Sequence, residues 1–413
     1  VRQVIQNFWN SWQELSKAPE NLTARAVVRE SALALTDAFN HTAKQLSDLS
    51  ADLTENIGVR VNDINSASQQ ITNLNQQIYK LEGLGNDAND LRDQRDLLID
   101  DLSKAINVSI VEGDNGYTVS MGSVQLVNGF TAGAPVTIES LQASYAAGDL
   151  NSGEVAGMLI SRDQFVASYR SQLDTMARAV AEGEVTVTLP AGSVIPEGTV
   201  IGTTTYTGSI TARTLTAPTD VVVQGINGLH HLGYVVGEGG GFEVGGDIFV
   251  TSDGSSTFTA GNFSLSPSIV SNVMNISSSM RTYLDPADNI EKVVQGNNSM
   301  ALLIAGLKST TYNFDPDNTG QVILSSGTLD EFLRSIVVQL GVQTQEAVRQ
   351  GANQKILVEQ IESRRQSVSG VSLDEEMANM IKFQHAYNAA ARSLTTFDEM
   401  LDRVINGMGI VGR

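Results

Sequence analysis

Apolar residues along the first hundred positions recur at helical spacing. Phe8, Trp9, Trp12 and Leu15 share one face and stop before Pro19, which disfavours helix in the residue preceding it. Leu22, Ala26, Leu33, Phe39, Leu46, Leu49 and Leu53 predict a second, longer helix. Ile57, Ile64, Ile71 and Ile78 then recur every seven residues, with Val61, Leu74 and Leu81 beside them, which is a coiled-coil pattern. The loop GLGNDAND ends this run. Asn89 or Asp90 can cap the next helix, carried by Leu91, Leu98, Leu102 and Ile106. Two long helices joined by a short loop predict an antiparallel hairpin.

The period then switches to two. Residues 108–111, 117–121 and 124–127, separated by Asp114-Asn115-Gly116 and Gly122, read as a small antiparallel meander. Helical spacing returns over 153–182, where Val155, Leu159, Phe165, Tyr169, Leu173, Met176, Ala177 and Val180 share a face. Residues 183–272 are β-rich. Residues 185–189 alternate cleanly, and 200–206, 210–215, 220–224, 233–236, 247–251 and Phe258 are further strand candidates. Their Thr content and frequent Gly and Pro suit a solvent-facing sandwich or barrel. Residues 299–307 read as a short apolar helix. Thr328 and Glu331 form an S/T-x-x-E capping box before a helix running to about residue 366 through Phe332, Leu333, Ile336, Val337, Leu340, Ala347, Ile356, Leu357 and Ile361.

After a break at residues 367–371, Ser372 and Glu375 form another capping box. No Pro or Gly follows until Gly407, so a helix of about 34 residues, ~51 Å long, is predicted. Its seam is Leu373, Met377, Met380, Gln384, Tyr387, Ala391, Leu394, Asp398, Leu401 and Ile405, alternating in steps of four and three. A single helix cannot bury such a stripe against itself. The trunk helices 57–82 and 329–366 have each other to pack on. The terminal helix has no mate in this sequence, and its seam is therefore the candidate assembly interface.

These patterns define an α+β multidomain chain. A long antiparallel helical trunk, built from both ends of the sequence, carries inserted antiparallel β domains that project from it. The expected divisions are trunk at 1–107, a β meander at 108–152, a trunk helix at 153–182, a β-rich outer domain at 183–272, a trunk return at 273–371 and the assembly helix at 372–413.

Charge and composition narrow the function. The chain has 413 residues, 46 acidic and 26 basic groups, and a formal charge of −20. Such a surface repels nucleic acid and anionic lipid. No run of about 18 apolar residues occurs, so no transmembrane helix is expected. Absence of cysteine excludes disulfides and thiolate metal sites. The start, VRQVIQNFWNSW, lacks a signal-peptide apolar core and an initial Met, which suggests a fragment.

Candidate chemistry is thin. Residues 315–320, DPDNTG, resemble half a calcium loop, but the twelfth position is Ser326 instead of a bidentate Glu, so a turn is the better reading. His230-His231 would need further ligands for zinc, and only His41 and His385 remain, on distant helices. The glycines of residues 237–241 lack the Gly-Lys-Ser/Thr of a phosphate loop and read as a turn. Asp374, Glu375 and Glu376 suit the positive end of a helix dipole without any acid–base role. No catalytic residue, cofactor site or metal site is expected.

Residues 368–392, VSGVSLDEEMANMIKFQHAYNAAAR, resemble the C-terminal signature of bacterial flagellar axial proteins. FWNSWQELSKAPENLTAR at 8–25, NDLRDQRDLLIDDLS at 89–103, GEVAGMLISRD at 153–163 and the N-x-x-H-x-x-G of Asn227, His230 and Gly233 are similar, in order, to that family's hook–filament junction members. Two departures stand out. The family begins well before Val1, with a helix that pairs with the terminal one. The β-rich residues 183–223 also interrupt a stretch that is usually nearly continuous, implying an extra or rearranged outer domain.

The resemblance implies a structural role without catalysis. It implies export through the flagellar type III apparatus without a cleaved signal peptide, with an export chaperone, and an extracellular place on the flagellum. Implied partners are further copies in a ring, the hook protein, the second junction protein and, through it, the flagellin filament; nucleic acid and membrane are not among them. It gives His230 a part in a fold motif. The terminal helix, lacking its mate, is expected to be disordered, docked on a neighbour or held only by assembly. Alternatives are another axial protein, such as flagellin or the second junction protein, or a secreted β-domain adhesin on a coiled-coil stalk.

Overall fold

A computed structural model describes residues 1–237, 240–316, 320 and 322–407. Its contacts divide the α+β chain into two units, Val1–Val337 and Val338–Arg413.

The first unit begins with α1 (Arg2–Lys17), which buries Phe8, Trp9, Trp12 and Leu15. Asn21 caps α2 (Leu22–Glu82) by accepting from the N–H groups of Thr23 and Ala24. The two predicted stretches after Leu22 are one unbroken 61-residue helix. A six-residue turn leads into α3 (Asn89–Ala105), which runs back antiparallel. Two contacts fix the register: Arg92 makes two hydrogen bonds to the Glu82 carboxylate at 2.7 and 2.9 Å, and Arg95 donates to Oδ1 of Asn75 at 3.1 Å. The buried Arg95 guanidinium also lies 3.4 Å from the centre of the Tyr117 ring, where the π face offsets part of its desolvation.

The isoleucine heptad finds its partners locally. Ile57, Ile64 and Ile71 share a core with Ile99, Leu102, Val119, Leu126, Leu141 and Leu159, while Ile78 packs near Ala88. This corrects the expected pairing of 57–82 with 329–366: the seam is filled from within residues 57–159. Heptad spacing specifies an apolar stripe but not what covers it.

Strands β1 (Ser109–Gly113), β2 (Gly116–Met121), β3 (Val124–Asn128) and β4 (Thr131–Ala132) form a meander in sequence order. A helix absent from the sequence reading follows, α4 (Ile138–Ala147), set by a reciprocal capping box between Thr137 and Ser140. The next helical stretch comprises α5 (Glu154–Ile160), a π-helical segment over Ser161–Val166, and α6 (Ala167–Glu182). Val166 is buried there, and Phe165, placed on the buried face from sequence, is exposed.

Residues 183–332 depart most from expectation. Strand β5 (Glu184–Leu189) is followed by the hairpin of β6 (Val200–Ile201) and β7 (Thr204–Thr205), then by α7 (Ile210–Arg213) where a strand was expected. Ser209 caps that turn of helix by accepting from the Ala212 N–H, a local bond that outweighs the alternation of 210–215. Next come β8 (Thr219–Gln224), α8 (Gly225–His230), β9 (Tyr234–Val236), β10 (Phe242–Val244), β11 (Phe249–Thr251), β12 (Phe263–Leu265), α9 (Pro267–Ser271), β13 (Thr282–Leu284), β14 (Glu291–Val293), α10 (Ser299–Gly306), β15 (Tyr312–Asn313) and β16 (Ser326–Gly327). The order β16-β15-β5-β8 makes one four-stranded sheet, and the other strands pair in twos. No sandwich or barrel forms among the described residues.

Nor do residues 183–223 project as a separate domain. Val185, Val187, Leu189, Ile195, Leu215 and Val223 lie in the same core as Phe8, Trp12, Leu35 and Met176. A buried ion pair welds the segment to β9 and β14: Arg213 donates to Oε2 of Glu291 at 2.6 Å and to the Tyr234 hydroxyl at 3.1 Å.

Helix α11 (Leu329–Ser369) starts at a reciprocal capping box. The Thr328 N–H donates to Glu331 at 2.8 Å, and the Glu331 N–H to Oγ1 of Thr328 at 3.2 Å. Arg2 pairs with Asp330 at 2.9 Å, joining α1 to this helix start. After α11 comes α12 (Leu373–Gly407).

Candidate assembly surface

Helix α12 starts as its sequence dictates. The Ser372 hydroxyl accepts from the Glu375 N–H at 3.4 Å, and Asp374, Glu375 and Glu376 occupy the first turn, where the helix dipole favours carboxylates. The helix then carries Leu373, Met377, Met380, Gln384, Tyr387, Ala391, Leu394, Asp398, Leu401 and Ile405 along one side, and all ten are exposed. Leu373 is 82% exposed, Tyr387 75% and Leu394 71%, values ordinary for charged residues and unusual for large apolar ones.

The stripe is broader than the ten-residue seam. Phe383, Phe397 and Val404 are also exposed, each three positions after a seam residue: Met380, Leu394 and Leu401. The two phenylalanines immediately precede Gln384 and Asp398, so aromatic rings flank both polar interruptions. An i, i+3 search from the seam finds them; a strict two-position heptad does not.

The N-x-x-H-x-x-G stretch is a structural pin. Asn227 Oδ1 accepts from the N–H groups of Ile248 and Phe249 at 3.0 and 2.9 Å, and its Nδ2 donates to the Phe249 carbonyl at 2.8 Å. His230 is fully buried; its Nδ1 bonds the Gly246 carbonyl and its Nε2 accepts from the Ser277 N–H at 2.7 Å. That pattern holds the neutral tautomer protonated on Nδ1. Burial lowers its pKa to about 4, only partly countered by the Gly246 carbonyl. At Gly233 a Cβ would lie 2.3 Å from Oγ of Ser277, so only glycine fits. The sequence marked these three residues through a resemblance; their hydrogen bonds span segments that no local pattern connects.

The remaining candidates form turns in their described residues. Oδ2 of Asp315 accepts from the Gly320 N–H at 2.8 Å, a turn closure; residues 317–319 and 321 lie outside the described residues. The Gly237 N–H donates to the Gly241 carbonyl at 3.1 Å, closing the turn between β9 and β10, with 238–239 outside the described residues. Among the described residues no group of three or more His, Asp or Glu could hold a metal ion, and no helix is long and apolar enough to cross a membrane.

The structure therefore defines a mainly helical α+β protein that presents an exposed apolar stripe along α12. Comparison with known proteins gives the family. A family model described as the flagellar hook-associated protein FlgK helical domain matches residues 1–184, and one described as the flagellar basal body rod FlgEFG protein C-terminal matches residues 362–407. Flagellar hook-associated protein 1 of Bacillus subtilis is 31% identical over all of this chain and 77% of its own length. The Salmonella typhimurium protein of the same name is 28% identical over 97% of the chain and 80% of its length. The solved structure of the flagellar hook junction protein FlgK from Burkholderia pseudomallei shares the fold, with a TM-score of 0.58 and 16% identity over 89% of this chain and 94% of that one. The chain belongs to the flagellar hook-associated protein 1 family.

Proposed function

We propose that this chain is a structural junction protein of the bacterial flagellum, linking hook to filament by helix packing and catalysing no reaction. It associates with other axial components in a structure exposed outside the cell. The observation that carries this reading is the α12 stripe, an apolar face with every seam position exposed, on a member of a family named for its place at the hook. An exposed stripe of this length marks an interaction site.

In finer detail, α12 packs with neighbouring helices in a ring of copies. The ring seats on the hook protein and receives the second junction protein, through which it carries flagellin. The chain reaches that position through the flagellar type III apparatus, without a cleaved signal peptide and with an export chaperone. Gln384 and Asp398 set the register of the packed helices. No cofactor enters. The test is deletion of the gene: cells are expected to make hooks and to release flagellin into the medium. Normal filaments on such cells would overturn the junction role.

A further inference from the structure

The first unit holds two large hydrophobic cores. One gathers Phe8, Phe39, Met176 and Phe263 from residues 1–43 and 173–332; the other gathers Ile57, Ile99, Leu126 and Leu159 from residues 57–159. In this smaller lobe α3, α4 and the β1–β4 meander pack around α2. The chain crosses between the cores twice. It goes out along α2 from Ala43 to Ile57, and returns along the continuous run of α5, the π-helical segment and α6 from Leu159 to Leu173.

These crossings make a neck that neither core fills. No residue of α2 from 44 to 56 is buried, and from 160 to 171 only Val166 is. Continuing the three- and four-residue steps from Phe39 and Ala43 along α2 gives Leu46, Ser50 and Thr54 before Ile57, and all three are half-buried. Arg162, its side chain 9% exposed, donates to Oγ1 of Thr54 at 3.3 Å and to Asp163 at 2.7 and 3.0 Å. A polar bridge thus stands where an apolar pair would join the cores.

The same level carries features that bend helices. Ser161–Val166 is π-helical, and sharp kinks concentrate at such turns. The Thr54 hydroxyl donates to the Ser50 carbonyl at 2.9 Å and the Ser161 hydroxyl to the Gly157 carbonyl at 2.8 Å; this back-bonding competes with the helix ladder. Two hydrogen bonds tie the π segment to α4, from Gln142 to Asp163 at 3.3 Å and from Gln164 to the Tyr145 hydroxyl at 2.9 Å. Both are exposed, so exchange with water lets them break as the neck bends.

We propose that residues 44–56 and 160–172 form a joint, about which the 57–159 lobe swings against the rest of the first unit while each lobe keeps its own core. Regions with few buried apolar contacts deform at low free energy, and the polar seam makes this neck such a region.

The chain has no cysteine, so spin labels can be placed singly. The test is double electron–electron resonance on the full chain labelled at Asp37→Cys and Ala143→Cys, one exposed position in each lobe. Gln94→Cys with Ala143→Cys is the pair within the smaller lobe. The distance distribution between lobes is expected to be at least twice as wide as that within the lobe. Thr54→Val with Arg162→Leu makes the neck seam apolar and is expected to reduce the width between lobes to the value within one. Ser50→Leu, which leaves Arg162 its partners, is expected to narrow it in the same direction. Equal widths for the two pairs in the wild type overturn the joint. A folded variant of either kind that keeps the wild-type width overturns the polar seam as its cause. Neither outcome depends on whether gene deletion abolishes filaments, so the joint and the junction reading fail separately.

Discussion

Nε2 of His230 accepts a hydrogen bond from the backbone N–H of Ser277, 47 positions further along the chain, at 2.7 Å. The bond needs an unprotonated nitrogen, and it lies in a site with no exposure to water. A structural residue is thereby made sensitive to pH.

The sign follows from the depressed pKa. The folded state holds His230 at about 4, against an ordinary 6.5. Between those values the unfolded chain binds the proton and the folded chain does not. The contribution is full above pH 6.5 and is lost as pH falls to about 4, amounting to roughly 3 kcal/mol over the window. Urea midpoints measured from pH 7.5 to 4 are expected to fall less steeply in His230→Gln than in the wild type. Parallel curves for the two proteins would show that His230 titrates normally in the folded state.

Gly233→Ala is expected to destabilise the first unit by about 1–3 kcal/mol, because the new methyl would meet Oγ of Ser277 and Cε of Met300. Adding Ser277→Ala removes the nearest atom. In the Gly233→Ala background it should therefore cost less than it does in the wild type, a coupling that a double-mutant cycle in urea would measure.

Arg213→Met leaves Glu291 without its cation and with a hydrogen bond from Thr282, and a broken buried pair typically costs about 3–5 kcal/mol. Amide hydrogen exchange is the informative readout. Protection is expected to drop first across residues 183–223 and 282–293, while α2 and α3 keep theirs. A uniform drop would mean that the pair supports the whole core equally.

Met380→Asp with Leu394→Asp is expected to leave thermal unfolding of the soluble chain within about 0.5 kcal/mol of wild type, since both side chains are exposed. In cells the same variant should fail to enter the flagellum and should release flagellin. Normal filaments would show that the stripe serves no assembly contact.

Much of the helical frame is legible in sequence because its determinants are local. Apolar periodicity marks α1, α2 and α3, and the Thr328–Glu331 and Ser372–Glu375 pairs mark where α11 and α12 begin. The α12 seam is legible for the same reason, except for Phe383 and Phe397, which a two-position heptad omits. α4 and α7 escaped: α4 is short, and at α7 a single cap at Ser209 settles a stretch whose alternation suggests a strand.

What the sequence determined by itself, then, is where helices run, where they stop and which faces are apolar, since i, i+3 and i, i+4 relations are written in neighbouring residues. Only the tertiary structure decided what covers those faces. Ile57, Ile64 and Ile71 turn to Ile99, Leu102 and Leu159 within the first unit, and residues 183–223 close on α1, α2 and α6 instead of projecting outward. Arg213 meets Glu291 across 78 positions and His230 meets Ser277 across 47. Apolar burial has no direction, so a stripe names no partner; a buried polar group must have one, and only the folded chain brings it within reach.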